Sequence, residues 1–125
     1  MTVQFIGMLQ PHEVSETFAP RGPAVDPAYV RTIAQAHEYA GFDRVLVPAS
    51  SSSPDTLLTI TYAALATRNI NFLLAHRPGF VAPTLAARQI ATLDHYTNGR
   101  VAVHYISGGS DADQQRDGDF LDHDE

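Results

Sequence analysis

Cysteine and lysine are absent from this 125-residue chain. Without cysteine there are no disulfides, no thiolate nucleophile and no thiolate metal ligands. That fits a reducing compartment, and a cytoplasmic location is expected. Every positive side chain is an arginine; the eight are scattered against fourteen carboxylates, for a net charge of −6. With no basic stripe to neutralise phosphates, a nucleic-acid partner is not expected. Long apolar runs are missing too. None approaches the roughly 20 residues that cross a bilayer, and Met1 to Phe5 has neither the basic nor the apolar region of a signal peptide. No membrane partner is expected. Three ligand signatures are also lacking: a dinucleotide-binding glycine fingerprint, a Walker loop and the Gly-x-Ser-x-Gly elbow of serine hydrolases.

What is present is a chain that is 44% hydrophobic and long enough for one buried core, so residues 1–125 read as a single domain. The chain closes on Asp122-His123-Asp124-Glu125 after a polar stretch, with no final helix or strand. It reads as an interrupted chain, and the domain is expected to be partial.

Strand-length apolar runs begin at Val3, Arg44, Ile70 and Val101. The first, Val3 to Leu9, is broken at Gly7, and Gln10 to Val25 is an aperiodic loop. Asp26 then caps a helix with Pro27 at its first position and a stripe of Val30, Ile33, Ala36, His37 and Ala40, ended by Gly41. Arg44 to Val47 is the second strand. The serine run Ser50 to Ser53 leads to a helix in which Ser53 is expected to cap a start at Pro54, with Leu57, Leu58, Ile60, Ala64 and Leu65 as the apolar set. The third strand is Ile70 to Ala75. A third helix runs from Pro83 to Tyr96 on Leu85, Ala86, Ile90 and Leu93, stopped by Asn98-Gly99. The fourth strand is Val101 to Ile106, and a solvated loop is expected from there on. Repeats of about 30 residues with one helix each are the mark of βαβ units. The strands are apolar on both alternating sets of positions, as in a parallel sheet covered on both faces. Two architectures fit, an open doubly wound sheet or half of a (β/α)8 barrel, which needs about 250 residues. The end after the fourth strand favours the half barrel: about four parallel strands with helices on the outer face. Its edge strands would be unpaired, so self-association is expected.

Candidate chemistry gathers where strands three and four end. Ser107-Gly108-Gly109-Ser110 can bring backbone N–H groups against a flat or anionic ligand, or be a flexible turn. Arg77, after His76, can hold a phosphate, sulfonate or carboxylate through two donors, or pair with the acidic segment after strand four. His104, mid-strand, is a core residue or, on an inward-facing parity, a hydrogen-bond partner for a heterocycle. His12 lies in the first loop beside Glu13. Asp113, Gln115, Asp117 and Gly118 imitate a calcium loop only in part, and His123-Asp124-Glu125 is weaker still as a metal site; no metal is expected.

Several blocks together resemble the bacterial luciferase-like flavin monooxygenases, most of all the alkanesulfonate monooxygenase branch. They are Ala75-His76-Arg77-Pro78-Gly79, Ala82 to Gln89, Ala91 to Asp94, Asn98-Gly99-Arg100, Ser107 to Asp111 and Asp117 to His123. The resemblance covers nearly the whole chain and implies the N-terminal part of a TIM barrel. It implies a two-component enzyme: reduced FMN (FMNH2) comes from a separate NAD(P)H-dependent flavin reductase, and with O2 the substrate is oxygenated. In the sulfonate branch C–S cleavage releases sulfite and an aldehyde. Carried over by position, Pro48, Ala49, His104 and Asp113 would meet the cofactor, while Arg77 and His12 would line the substrate pocket. A homo-oligomer, dimer or tetramer, is expected. One departure is Ser53, where sulfonate monooxygenases commonly carry cysteine. Another is that the family's Arg-Tyr pair for the flavin phosphate, and later catalytic residues, would follow Glu125. The 125 residues alone are therefore expected to be inactive. The alternatives are a deazaflavin (F420) or flavin oxidoreductase of the same superfamily, and a non-catalytic barrel fragment.

Overall fold

The computed structural model describes residues 3–121. The positions 122–125, including the His123-Asp124-Glu125 cluster, lie outside the described residues. Four strands, β1 (Ile6–Met8), β2 (Arg44–Val47), β3 (Asn71–His76) and β4 (Val101–Tyr105), alternate with helices α1 (Pro27–Tyr39), α2 (Thr56–Leu65) and α3 (Pro83–Thr97). A further helix, α4 (Asp111–Arg116), follows β4. The strands pair in parallel in the order β1-β2-β3-β4.

That order, with the helices on one side, decides between the two architectures. In register, Val45 stands beside Phe72 and Phe72 beside Val101, with Val47 beside Leu74. This parity forms the core with Val30 and Ala34 of α1, Ile60, Ala63 and Ala64 of α2, and Leu93 of α3. The opposite parity, Ile6, Met8, Leu46, Leu73, Ala102 and His104, meets no helix of this core; Ile6 and Met8 are half exposed. A doubly wound sheet would bury both parities under helices. A barrel wall covers its outside with helices and turns the other parity inward. The arrangement is the N-terminal part of a (β/α)8 barrel, with helices on the outer face. The expectation that both faces are covered therefore holds for the outer face alone among the described residues.

Local chemistry sets the helix ends. Asp26 accepts hydrogen bonds from the N–H groups of Ala28 and Tyr29, with Pro27 in the first turn where its missing N–H costs nothing. Asn98 adopts the left-handed conformation (φ 55°) to end α3, a shape that Asn tolerates better than most residues. The cap of α2 is a correction. Asp55, not Ser53, accepts from Leu58 N–H and the helix begins at Thr56, while Ser53 closes a turn with Ser50. The apolar stripes also shift. In α1 the buried residues are Val30 and Ala34, with Ala36 and Ala40 exposed. In α2, Leu58 and Leu65 face solvent, and Thr56, Thr59, Ile60, Ala63 and Ala64 are buried.

At the amino-terminal end of the sheet, one oxygen of Glu38 accepts the N–H groups of Arg68, Asn69 and Ile70 at 2.9, 2.7 and 3.0 Å. Arg100 closes the same turn, donating to the carbonyls of Ala64, Ile70 and Thr97. These bonds fix the entry into β3, and through it the position of the residues at its far end.

Candidate functional site

The loops at the carboxyl ends of the strands border a cavity of about 700 Å³ that is widely open to solvent. It is lined by Ala49 after β2, Arg77 after β3, Tyr105 to Ser110 from the end of β4, and Ala112, Asp113 and Arg116 of α4. This is the end of a parallel barrel at which ligands bind. A second cavity of about 580 Å³ lies beside it, between the end of β3 and helices α2 and α3, and shares Ala49 and Arg77.

Helix α4 is what the sequence reading missed; it takes the place of the expected loop. Its start is marked by Ser110-Asp111-Ala112-Asp113, the spacing of a helix N-terminus with an acidic third residue. The Ser110 carbonyl accepts the N–H groups of Asp113 and Gln114. Gln114, buried, donates from its side-chain amide to the Ser107 carbonyl at 3.0 Å, which closes the glycine turn on the helix. Gly108 sits at φ 88°, and a Cβ there would stand 2.7 Å from that amide nitrogen. Glycine at this position is thus favoured by backbone sign, and a Cβ would also force the end of the Gln114 side chain to shift.

Asp113 joins three loops. Its Oδ1 accepts the Ser51 hydroxyl and the Ser51 N–H, and its Oδ2 accepts Arg77 Nη2 at 2.5 Å. Ser51's hydroxyl first, then Arg77's guanidinium, hold the Asp113 carboxyl below the ordinary carboxylate value. Arg77 also reaches Asp117 with Nη1 at 3.4 Å and lies over the Phe80 ring, 5.4 Å from its centroid. Its side chain is 10% exposed, and its Nε is buried without a hydrogen-bond partner. Both terminal nitrogens of Arg77 are thus turned to carboxylates. Of the two readings of Arg77, the ion pair with the acidic segment is the one formed.

The other sequence candidates are distributed as follows. Ala49, Arg77 and Asp113 meet on the one cavity. Pro48 precedes it, its carbonyl accepting the Thr56 hydroxyl at 3.2 Å. His104 stands beside Ala75 on the inward parity, exposed on the edge strand and outside the cavity lining. His12 Nδ1 donates to the Ala24 carbonyl at 2.8 Å and so ties the loop after β1 to itself. Sequence did not single out Ser51, whose partner Asp113 lies 62 residues away, nor Gln114, which belongs to the unforeseen helix α4.

A family model described as luciferase-like monooxygenase matches residues 4–125. Among solved structures, the fold matches DmoA from Hyphomicrobium sulfonivorans with a TM-score of 0.77 at 22% identity, over 98% of this chain and 32% of that one. It matches the oxygenating constituent of 3,6-diketocamphane monooxygenase from Pseudomonas putida, in complex with FMN, with a TM-score of 0.76 at 22% identity over 94% and 33%. The coenzyme F420-dependent tetrahydromethanopterin reductase from Methanopyrus kandleri matches with a TM-score of 0.76 at 22% identity, over 94% and 30%. The chain spans about a third of the length of these structures.

Proposed function

The chain belongs to the luciferase-like monooxygenase family, and from that premise we propose that the complete protein is a two-component flavin-dependent monooxygenase. It takes FMNH2 from a separate NAD(P)H-dependent reductase and, with O2, oxygenates a small alkanesulfonate or related organosulfur compound. The carrying observation is the cavity at the strand ends. Its volume of about 700 Å³ is within the ~300–1,000 Å³ of ligand and cofactor sites. Its residues suit a flat ring system: Ala49 and Gly109 offer small walls, Tyr105 and Ile106 apolar ones, and the Ser107–Ser110 backbone supplies polar groups. Bound there, reduced flavin would supply the electrons that activate O2.

In this reading Ala49 and the glycine turn lie against the ring, with Pro48 shaping the loop behind Ala49 and His104 offering a nitrogen from the inward side of β4. His12 bounds the substrate side. Arg77 acts as a wall residue, since Asp113 and Asp117 already hold its terminal donors; an anionic head group would draw on Arg116, which lines the same cavity. The sulfur preference rests on the sequence blocks described above.

The test is sulfite release by the complete protein given FMNH2, oxygen and a panel of alkanesulfonates. Sulfite is expected from at least one; none from any would retire the desulfonation reading. The second reading, an F420-dependent oxidoreductase, is favoured by the structural match to an F420-dependent reductase. Direct titration with FMN and with F420 separates the two, tighter binding of FMN being the result expected here.

A further inference from the structure

Both oxygens of the Asp113 carboxylate are already engaged by protein donors, although the residue borders the cavity. One accepts two bonds from Ser51 and the other accepts Arg77. What Asp113 does instead is join the loop after β2, the loop after β3 and the first turn of α4. Its neighbour Gln114 carries that anchoring on to the glycine turn through the Ser107 carbonyl. The turn in question is the one whose backbone faces the cavity. A six-residue helix is too short to hold its own position, so what fixes α4, and the turn with it, must come from such tertiary bonds. The unpartnered, buried Nε of Arg77 points the same way. A buried N–H without an acceptor is a cost, borne here because Asp113 and Asp117 dictate how the guanidinium lies. Gly108 lies near this Nε: a Cβ added to it would stand 3.5 Å away.

We propose that Asp113 is a positioning residue for the flavin site, holding the Ser107–Ser110 turn at its working distance through Ser51 and Arg77 without itself touching the cofactor. This rests on the flavin reading above. It differs from the family-derived expectation that Asp113 is a cofactor contact. Positional precision of a binding constellation depends on such supporting bonds, and a charge-assisted pair is the strongest kind available.

The experiment compares the complete protein with its Asp113→Asn, Ser51→Ala, Arg77→Gln and Arg77→Lys forms. FMN affinity is read by quenching of flavin fluorescence, and mobility by hydrogen–deuterium exchange over residues 107–117. Asp113→Asn keeps the shape and removes the charge, so it should weaken FMN binding by about tenfold, the worth of one charge-assisted bond. Exchange should rise over 107–117 while α1 to α3 keep their protection. Ser51→Ala combined with Asp113→Asn should cost little more than Asp113→Asn alone, since both break one relay. Arg77→Lys, which keeps the charge, should retain more affinity than Arg77→Gln. Weaker binding with unchanged exchange would overturn the proposal by making Asp113 a direct contact. Faster exchange with unchanged affinity would overturn it by making the relay irrelevant to the site. Failure of the wild-type protein to bind flavin would retire the flavin reading instead, and the exchange comparison would still test the relay.

Discussion

Replacing Glu38 tests how the far end of the sheet holds the site end in place. Its carboxylate oxygen takes the N–H groups of Arg68, Asn69 and Ile70, the whole turn into β3. These three donors are not equal. Arg68 and Asn69 are exposed, so water replaces their acceptor when Glu38 is lost; Ile70 is 2% exposed, and its N–H would be stranded. A stranded buried donor costs about 1–3 kcal/mol, and the exposed pair adds less than its nominal worth. Arg100, partly buried across the same turn, would also lose its opposing charge. Glu38→Ala should therefore cost about 2–4 kcal/mol, a large part of the roughly 5–15 kcal/mol that holds a domain together. Glu38→Gln, which keeps an acceptor but not the charge, should cost about half as much.

The pH dependence supplies the sign. Burial pushes the Glu38 carboxyl up, but the N–H groups of Asn69, Ile70 and Arg68, with Arg100's charge, together hold it below its ordinary value. A folded-state value below the unfolded one means the unfolded chain binds the proton more readily. The stabilisation is then complete above the ordinary glutamate value of about 4.3 and is lost as pH falls through the lower folded value. Urea unfolding of the complete protein, followed by circular dichroism from about pH 3 to pH 7, measures this directly. In Glu38→Gln the midpoint should drop at neutral pH, and its loss on acidification should be shallower than in wild type. A Glu38→Gln protein with the wild-type midpoint and the wild-type acid slope would refute the account.

Two further substitutions test local packing. A Cβ on Gly7 would lie 2.2 Å from His37 Cδ2, and the ring cannot swing away freely, since Nδ1 bonds the Ile33 carbonyl at 2.8 Å and its edge meets Phe42. Gly7→Ala should cost about 1–3 kcal/mol by overpacking, and adding His37→Ala should recover part of it, read by the urea midpoint. Asp55→Ala should cost about 1 kcal/mol as a lost helix cap, whereas Ser53→Ala should stay within about 0.5 kcal/mol, a comparison read by thermal unfolding.

How much of this could be seen in the chain itself depended on the range of the interaction. Asp26-Pro27 and Asn98-Gly99 marked helix ends correctly because capping is a bond between near neighbours, visible in a few consecutive residues. The starts of the second, third and fourth strands were legible to within a residue for the same reason, as was the repeat of strand and helix, whereas the first strand begins at Ile6 and not at Val3. Where local signals competed, the reading slipped. Ser53 and Asp55 are both good caps, and only the turn that Ser53 makes with Ser50 decides between them. Helix α2 is apolar nearly all round, so its pattern could not say that Leu58 and Leu65 face solvent while Thr56 and Thr59 are buried. Helix α4 carried a start signal in Ser110 to Asp113, masked by the glycines before it and the carboxylates within it.

By itself, then, the order of residues determined the unit of construction, strand followed by helix with polar glycine-rich loops at the strand ends. It also carried the blocks that belong to one family. Tertiary structure alone decided which parity of each strand faces the helices, since both parities are apolar and only packing distinguishes them. It alone decided, too, that Arg77 is spent on Asp113 and Asp117, and that Asp113 answers to Ser51 from across the site. An ionic or hydrogen-bonded pair depends on distance in space, and the chain must fold before residues so far apart in sequence acquire one.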